Sequence, residues 1–182
     1  MQELWTALYT GDSAKVQELV AGKQLSFPLA CAVGDHARVR ELLAQDPSLV
    51  HSFSDDGFPA VGLAVFFRQP EIARDLIERG ADVNAPARNA QRVAPIHAAA
   101  SIGDRDMVRL LLDRGADPNA RQQLGYVALH TAAAHGDMEM AKALVEHGAD
   151  PSFAAEDGRT PEDFAREKGH TAFVEWLQRM YQ

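Results

Sequence analysis

The chain has 182 residues, 46% of them hydrophobic, with 18 Lys and Arg against 26 Asp and Glu and a formal net charge of −8. Such a length can bury a sizeable core, which argues against intrinsic disorder, and the acidic balance argues against a general binder of nucleic-acid backbones, whose affinity comes from clustered Lys and Arg. A single cysteine, Cys31, leaves no intrachain disulfide and points to a reducing, cytoplasmic setting.

Residues 1 to 20 include Glu3, Asp12, Lys15 and Glu18 and lack the basic start and unbroken apolar run of a signal peptide. No apolar stretch approaches the roughly 18 residues of a spanning helix. The longest, Ala60 to Phe67, is bounded by Asp55-Asp56 and Arg68. Neither a membrane nor a nucleic acid is expected as a partner.

In chain order, the helical patterning predicts six helix pairs, at about residues 3–21, 26–44, 59–79, 94–114, 127–147 and 161–180. Glycine followed by aspartate divides four of them, at Gly11-Asp12, Gly34-Asp35, Gly103-Asp104 and Gly136-Asp137. Glycine can take the left-handed conformation that ends one helix, and the aspartate oxygen can cap the next. In the 94–114 pair, Pro95 suits the first helical position, and Ala98 to Ala100 offer helix propensity with little bulk. The second helix there carries an apolar stripe of Met107, Val108, Leu110, Leu111 and Leu112, with Arg105, Asp106, Arg109 and Asp113 left to water.

The markers recur at a spacing of 33: Gly103, Gly136 and Gly169; Gly115 and Gly148; His97 and His130. Ala-Pro-Ile-His-Ala-Ala-Ala at 94–100 aligns with Val-Ala-Leu-His-Thr-Ala-Ala at 127–133, and Gly-Ala-Asp recurs at 80–82, 115–117 and 148–150. A fixed period in this range marks a stacked repeat. Between Gly11 and Gly34 the spacing is only 23, too short for a projecting hairpin, so the first pair reads as a cap. Arg68 stands where the dividing glycine belongs, the spacing stretches to 35 between Gly80 and Gly115, which predicts an irregular loop at 85–93, and Val127 lacks a capping side chain.

With these motifs the chain resembles the ankyrin-repeat family, strongly from about Asp56 onward and more weakly before it. The resemblance implies an all-α solenoid of stacked helix-turn-helix units with short hairpin-like loops. It divides one ankyrin-repeat domain, 1–182, into an N-terminal cap pair (1–22), repeats at 23–55, 56–89, 90–123 and 124–156, and a C-terminal capping repeat (157–182). It also implies a structural role for His97 and His130, hydrogen-bonding between loops of adjacent units.

No Gly-rich phosphate loop, nucleophile elbow, His-Glu-x-x-His string or zinc spacing occurs, so neither an enzyme nor a cofactor or metal site is expected. Cys31, between Ala30 and Ala32, reads as a buried small residue. His36, His51, His147 and His170 read as solvated residues near caps and turns. Hairpin tips and the ends of first helices form the variable concave strip in proteins of this kind. Here the strip would carry Phe58, Phe66 and Phe67, then Val93, Ser101 and Ile102, then Leu124, Tyr126, Ala134 and His135, with Arg159, Glu167 and Lys168 as a polar rim. Four aromatics burying about 150 Å² each give roughly 600 Å², the scale of a partner-binding patch. The expectation is a non-enzymatic, monomeric scaffold that binds another protein through Phe58, Phe66, Phe67, Val93, Ile102, Leu124, Tyr126 and His135. Inward packing of Phe66 and Phe67 is the alternative at those positions. The rival functions are a self-associating module and a metal-dependent hydrolase built from His130, His135 and Asp104.

Overall fold

The computed structural model describes residues 2–180, and those residues hold twelve α-helices, two short 3₁₀ turns and a lone bridge between Phe53 and Pro59. The helices form two compact units, residues 1–82 and 83–182.

Unit 1 contains α1 (Gln2–Thr10), α2 (Ser13–Val20), α3 (Phe27–Val33), α4 (His36–Gln45), α5 (Ala60–Phe66) and α6 (Pro70–Glu78). Its core joins Leu29, Ala30, Cys31 and Ala32 of α3 to Val61, Leu63, Ala64 and Val65 of α5, backed by Val39, Leu43, Ile72 and Leu76. Cys31 is fully buried, and burial pushes its thiol up to about 12, so it fills space as a neutral small residue.

Unit 2 contains α7 (Pro95–Ser101), α8 (Arg105–Asp113), α9 (Ala128–His135), α10 (Met138–Glu146), α11 (Pro161–Glu167) and α12 (Thr171–Met180). Small residues set its spacing: Ala98, Ala99, Ala100, Ala128, Ala132, Ala133 and Ala165 are all buried, and α9 packs on both α7 and α11. On α8, Met107, Val108, Leu111 and Leu112 are buried as the stripe predicts, while Leu110 is half-buried.

The glycine–aspartate dividers behave as their chemistry dictates. Gly11, Gly34, Gly103 and Gly136 have φ of +70°, +81°, +70° and +66°. The carboxylates of Asp12, Asp35, Asp104 and Asp137 then accept the N–H of Lys15, Arg38, Met107 and Met140 at 2.9, 2.9, 2.9 and 3.0 Å. Arg68 takes the same left-handed conformation without being glycine, φ +56°, and is followed by Gln69 and Pro70 in place of a capping aspartate.

The loop at 85–93 is more regular than its length suggests. In three hairpin turns a backbone N–H donates to the carbonyl four residues on, as Ser54 to Phe58, Gln122 to Tyr126 and Ala155 to Arg159, whereas here Ala87 donates to Val93. The two extra residues lie inside that closed turn, where Arg92 at φ +51° occupies the place held by Gly125 and Gly158 in the next two hairpins.

Candidate functional site

Two histidines stitch the repeats of unit 2 together. The Ala94 N–H donates to His97 Nδ1 at 3.1 Å, and Nε2 of the same ring donates to the Ala120 carbonyl at 2.8 Å. Val127 N–H and the Arg159 carbonyl flank His130 in the same way, at 3.2 and 3.1 Å. Because Nδ1 accepts, the proton sits on Nε2 and each imidazole is neutral. Burial is the first cause that lowers both pKa values, outweighing the backbone hydrogen bonds that raise them. His130 also supplies the acceptor at the start of α9 that Val127 cannot.

An asparagine ladder runs beside the histidines. Asn84 donates to the Gly115 carbonyl and accepts the Asp117 N–H, at 2.9 and 2.7 Å. Asn119 repeats this with Gly148 and Asp150, both at 2.9 Å. Each asparagine thus fixes the turn that closes the second helix of the following repeat. Two further links span repeats: the Arg105 guanidinium pairs with Asp137 at 2.8 Å, and His170 Nε2 reaches the Ala134 carbonyl at 3.2 Å. His170 is half-buried rather than solvated, because Gly136 leaves no Cβ where its ring packs.

Around His130 the structure gathers rings that the sequence leaves far apart. Tyr126, Phe164 and Phe153 meet it edge-on with centroids at 5.4, 5.5 and 6.4 Å. Arg159 lies over Phe164 at 4.1 Å and Arg121 over Phe153 at 4.7 Å, both cation–π contacts. The Tyr126 hydroxyl donates to Asp157 at 2.8 Å and accepts from Arg159 at 3.3 Å. Arg159 also pairs with Glu167 at 2.9 Å. Sequence reading names Tyr126 but misses Phe153, Phe164 and Arg121; none of them lies one 33-residue period from Tyr126, so the repeat pattern does not mark them.

Beside that cluster the hairpin tips present their side chains outward. Leu124 is 54% exposed and has φ +62°, a left-handed conformation that is costly for a leucine. Its counterparts one repeat away on either side are Gln91 and Asp157. Tips are tied by backbone bonds, Gln123 N–H to Gln91 O at 2.8 Å and Glu156 N–H to Leu124 O at 2.9 Å. Val93 and Ile102 are half-buried, Ser101 and His135 exposed.

Unit 1 holds the other candidate residues. Phe66 and Phe67 are half-buried in an aromatic cluster with Trp5 and Tyr9 of α1, centroids 5.1 Å apart for the pair, 5.3 Å for Tyr9–Phe67 and 6.0 Å for Trp5–Phe67. The rings therefore anchor α1, and Tyr9, 56% exposed, is the member that faces solvent most. Phe58 is half-buried and holds the hairpin with its backbone, donating to Ser54 Oγ at 3.1 Å.

The residues of the hydrolase reading stand apart in their roles. Asp104 caps α8, His130 has backbone partners on both ring nitrogens, and His135 is exposed at the end of α9. Among the described residues no group of three or more His, Cys, Asp or Glu side chains is placed to share a metal ion. No helix among them is long and apolar enough to cross a membrane.

Residues 96–181 match the family model described as ankyrin repeats (3 copies). An ankyrin repeat-containing protein of Treponema pallidum (strain Nichols) is 40% identical over 91 residues, which cover 44% of this chain and 30% of that protein. The E3 ubiquitin-protein ligase KEG of Arabidopsis thaliana is 30% identical over 123 residues, 65% of this chain and 8% of the ligase. Ankyrin repeat and SAM domain-containing protein 6 of Rattus norvegicus is 32% identical over 99 residues, 54% of this chain and 11% of that protein. The chain thus spans less than a third of the length of these relatives.

Proposed function

We propose that the chain, whose residues 96–181 match the ankyrin-repeat family model, is a non-enzymatic scaffold that binds another protein through the inner face and hairpin tips of its repeats. Ankyrin repeats are in general protein-interaction modules, and the site we assign comprises Leu124 and Tyr126 as anchors, with Val93, Ile102 and His135 around them. Phe58, Phe66, Phe67 and the exposed Tyr9 are the corresponding apolar positions of unit 1. The monomer is the working state, and the cytoplasm its compartment.

The observation that carries this reading is Leu124. A leucine 54% exposed at a hairpin tip, in a backbone conformation that favours glycine, gains nothing for the fold. Both neighbouring tips are polar there. Tyr126 beside it is held by Asp157 and Arg159, so its ring loses little freedom on binding, the condition for a preorganised hot spot.

Affinity capture from the host lysate with the wild-type chain and Leu124→Asp tests this. Because the side chain is exposed, the variant should keep its melting temperature and lose the captured partner. Capture of the same proteins by both would overturn the assignment of this site. Light scattering over a concentration series tests self-association, which a concentration-dependent mass would establish in place of a separate partner.

A further inference from the structure

A cleft of about 370 Å³ opens in unit 1 between α1, the start of α3 and the hairpin turn before α5, lined by Trp5, Pro28, Leu29, Phe53, Asp55 and Asp56 among others. Pro28 and Leu29 are buried and form its floor, Trp5 and Phe53 are half-buried walls, and Asp55 and Asp56 are exposed at its mouth. We propose that this cleft takes an arginine- or lysine-bearing segment of a partner protein, the cationic head meeting the Trp5 ring and the two carboxylates. The inference rests on reading the chain as a protein-binding module and names the chemistry of its partner.

Arginine and lysine carry apolar stems and charged heads, which suits a cleft with an apolar floor and an acidic mouth. Tryptophan is the best aromatic partner for a cation, and a carboxylate beside it adds direct attraction. The hairpin holds the acidic mouth in place. Gly57 N–H donates to Ser54 O at 2.8 Å, Ser54 N–H to Phe58 O at 2.8 Å, and the Ser54 hydroxyl to the Asp56 carboxylate. Behind Trp5, Tyr9 packs outside the cleft lining, with its ring centroid 6.5 Å from that of Trp5. Burial first and the Asp56 charge second raise the Tyr9 pKa, so the same carboxylate reaches that ring. Residues 1–82 carry 7 Lys and Arg against 12 Asp and Glu, a net of −5, against −3 for residues 83–182 (11 against 14). The field over unit 1 therefore favours a basic partner and disfavours an anionic one.

Fluorescence anisotropy of labelled Gly-Arg, Gly-Lys, Gly-Gln and Gly-Glu repeat peptides of equal length, titrated with the full chain, tests the proposal. The Arg and Lys peptides should bind and the Gln and Glu peptides should not. Asp55→Asn with Asp56→Asn should weaken binding about tenfold, and Trp5→Ala should weaken the Arg peptide at equal salt. Neutralising Glu146 and Glu175 in unit 2 to Gln should leave affinity unchanged. Equal binding of Arg and Gln peptides, no binding at all, or equal losses from the two neutralised pairs would overturn it. Trp5→Phe, which keeps a ring on α1, guards against loss by unfolding and should retain most of the affinity. Lysate capture that depends on Leu124 while the basic peptides fail would remove this inference alone. Peptide binding without Leu124-dependent capture would remove the Leu124 site alone.

Discussion

His97 and His130 show how one residue type can be read from sequence for its place and only from structure for its state. Both are buried neutral, and both pKa values are lowered, chiefly by burial. The unfolded chain therefore binds protons that the folded chain does not. Their contribution is complete above the free-imidazole value of about 6.5 and is lost as pH falls through it toward the folded-state values. Urea unfolding between pH 7.5 and 5.5 should show falling stability in the wild type and a flatter profile in a His97→Asn, His130→Asn variant; parallel profiles would refute the assignment. Arg92 gives a second residue-scale prediction. With φ +51° where the neighbouring hairpins have glycine, Arg92→Gly should relieve backbone strain and stabilise the protein by about 1 kcal/mol, read as a higher urea midpoint.

At the scale of elements, the repeats are held by side chains that cross from one to the next as well as by apolar area. Asn119 satisfies a carbonyl and an amide of the turn after α10 at once. Asn119→Ala should cost about 1–2 kcal/mol, since both groups lose a partner. Ser152, one repeat further on, bonds among the described residues to Asp150, two residues away, so Ser152→Ala should cost less. Equal losses in urea titrations would mean that the ladder contributes nothing between repeats. The helices themselves were legible: glycine, aspartate and proline punctuation placed all six pairs, because caps and breakers act locally. The hairpin at 85–93 was not, since a closing bond between Ala87 and Val93 depends on a backbone path that composition does not specify.

Across the whole molecule, the sequence by itself determined the repeat. The 33-residue period and the helix punctuation mark a stacked array of helix pairs, and the resemblance to ankyrin repeats, carried by the alanine run and by a histidine in the same slot of two repeats, implies how they stack. The sequence also pointed to apolar residues at hairpin tips and helix ends, but not to their exposure: Leu124 is exposed, whereas Phe58, Phe66, Phe67, Val93, Ile102 and Tyr126 are half-buried. Tertiary structure decided what those residues do. Phe66 and Phe67 meet Trp5 and Tyr9, about sixty residues away in sequence, so they anchor α1 as much as they face outward. Tyr126 is locked by Asp157 and Arg159 from the next repeat, while Leu124 beside it stays exposed. The cleft floored by Pro28 and Leu29 and rimmed by Asp55 and Asp56 exists only once α1, α3 and the hairpin are packed. Local pattern fixes which segments fold and which face is apolar; whether a given ring is covered depends on residues tens of positions away, and only packing brings them together.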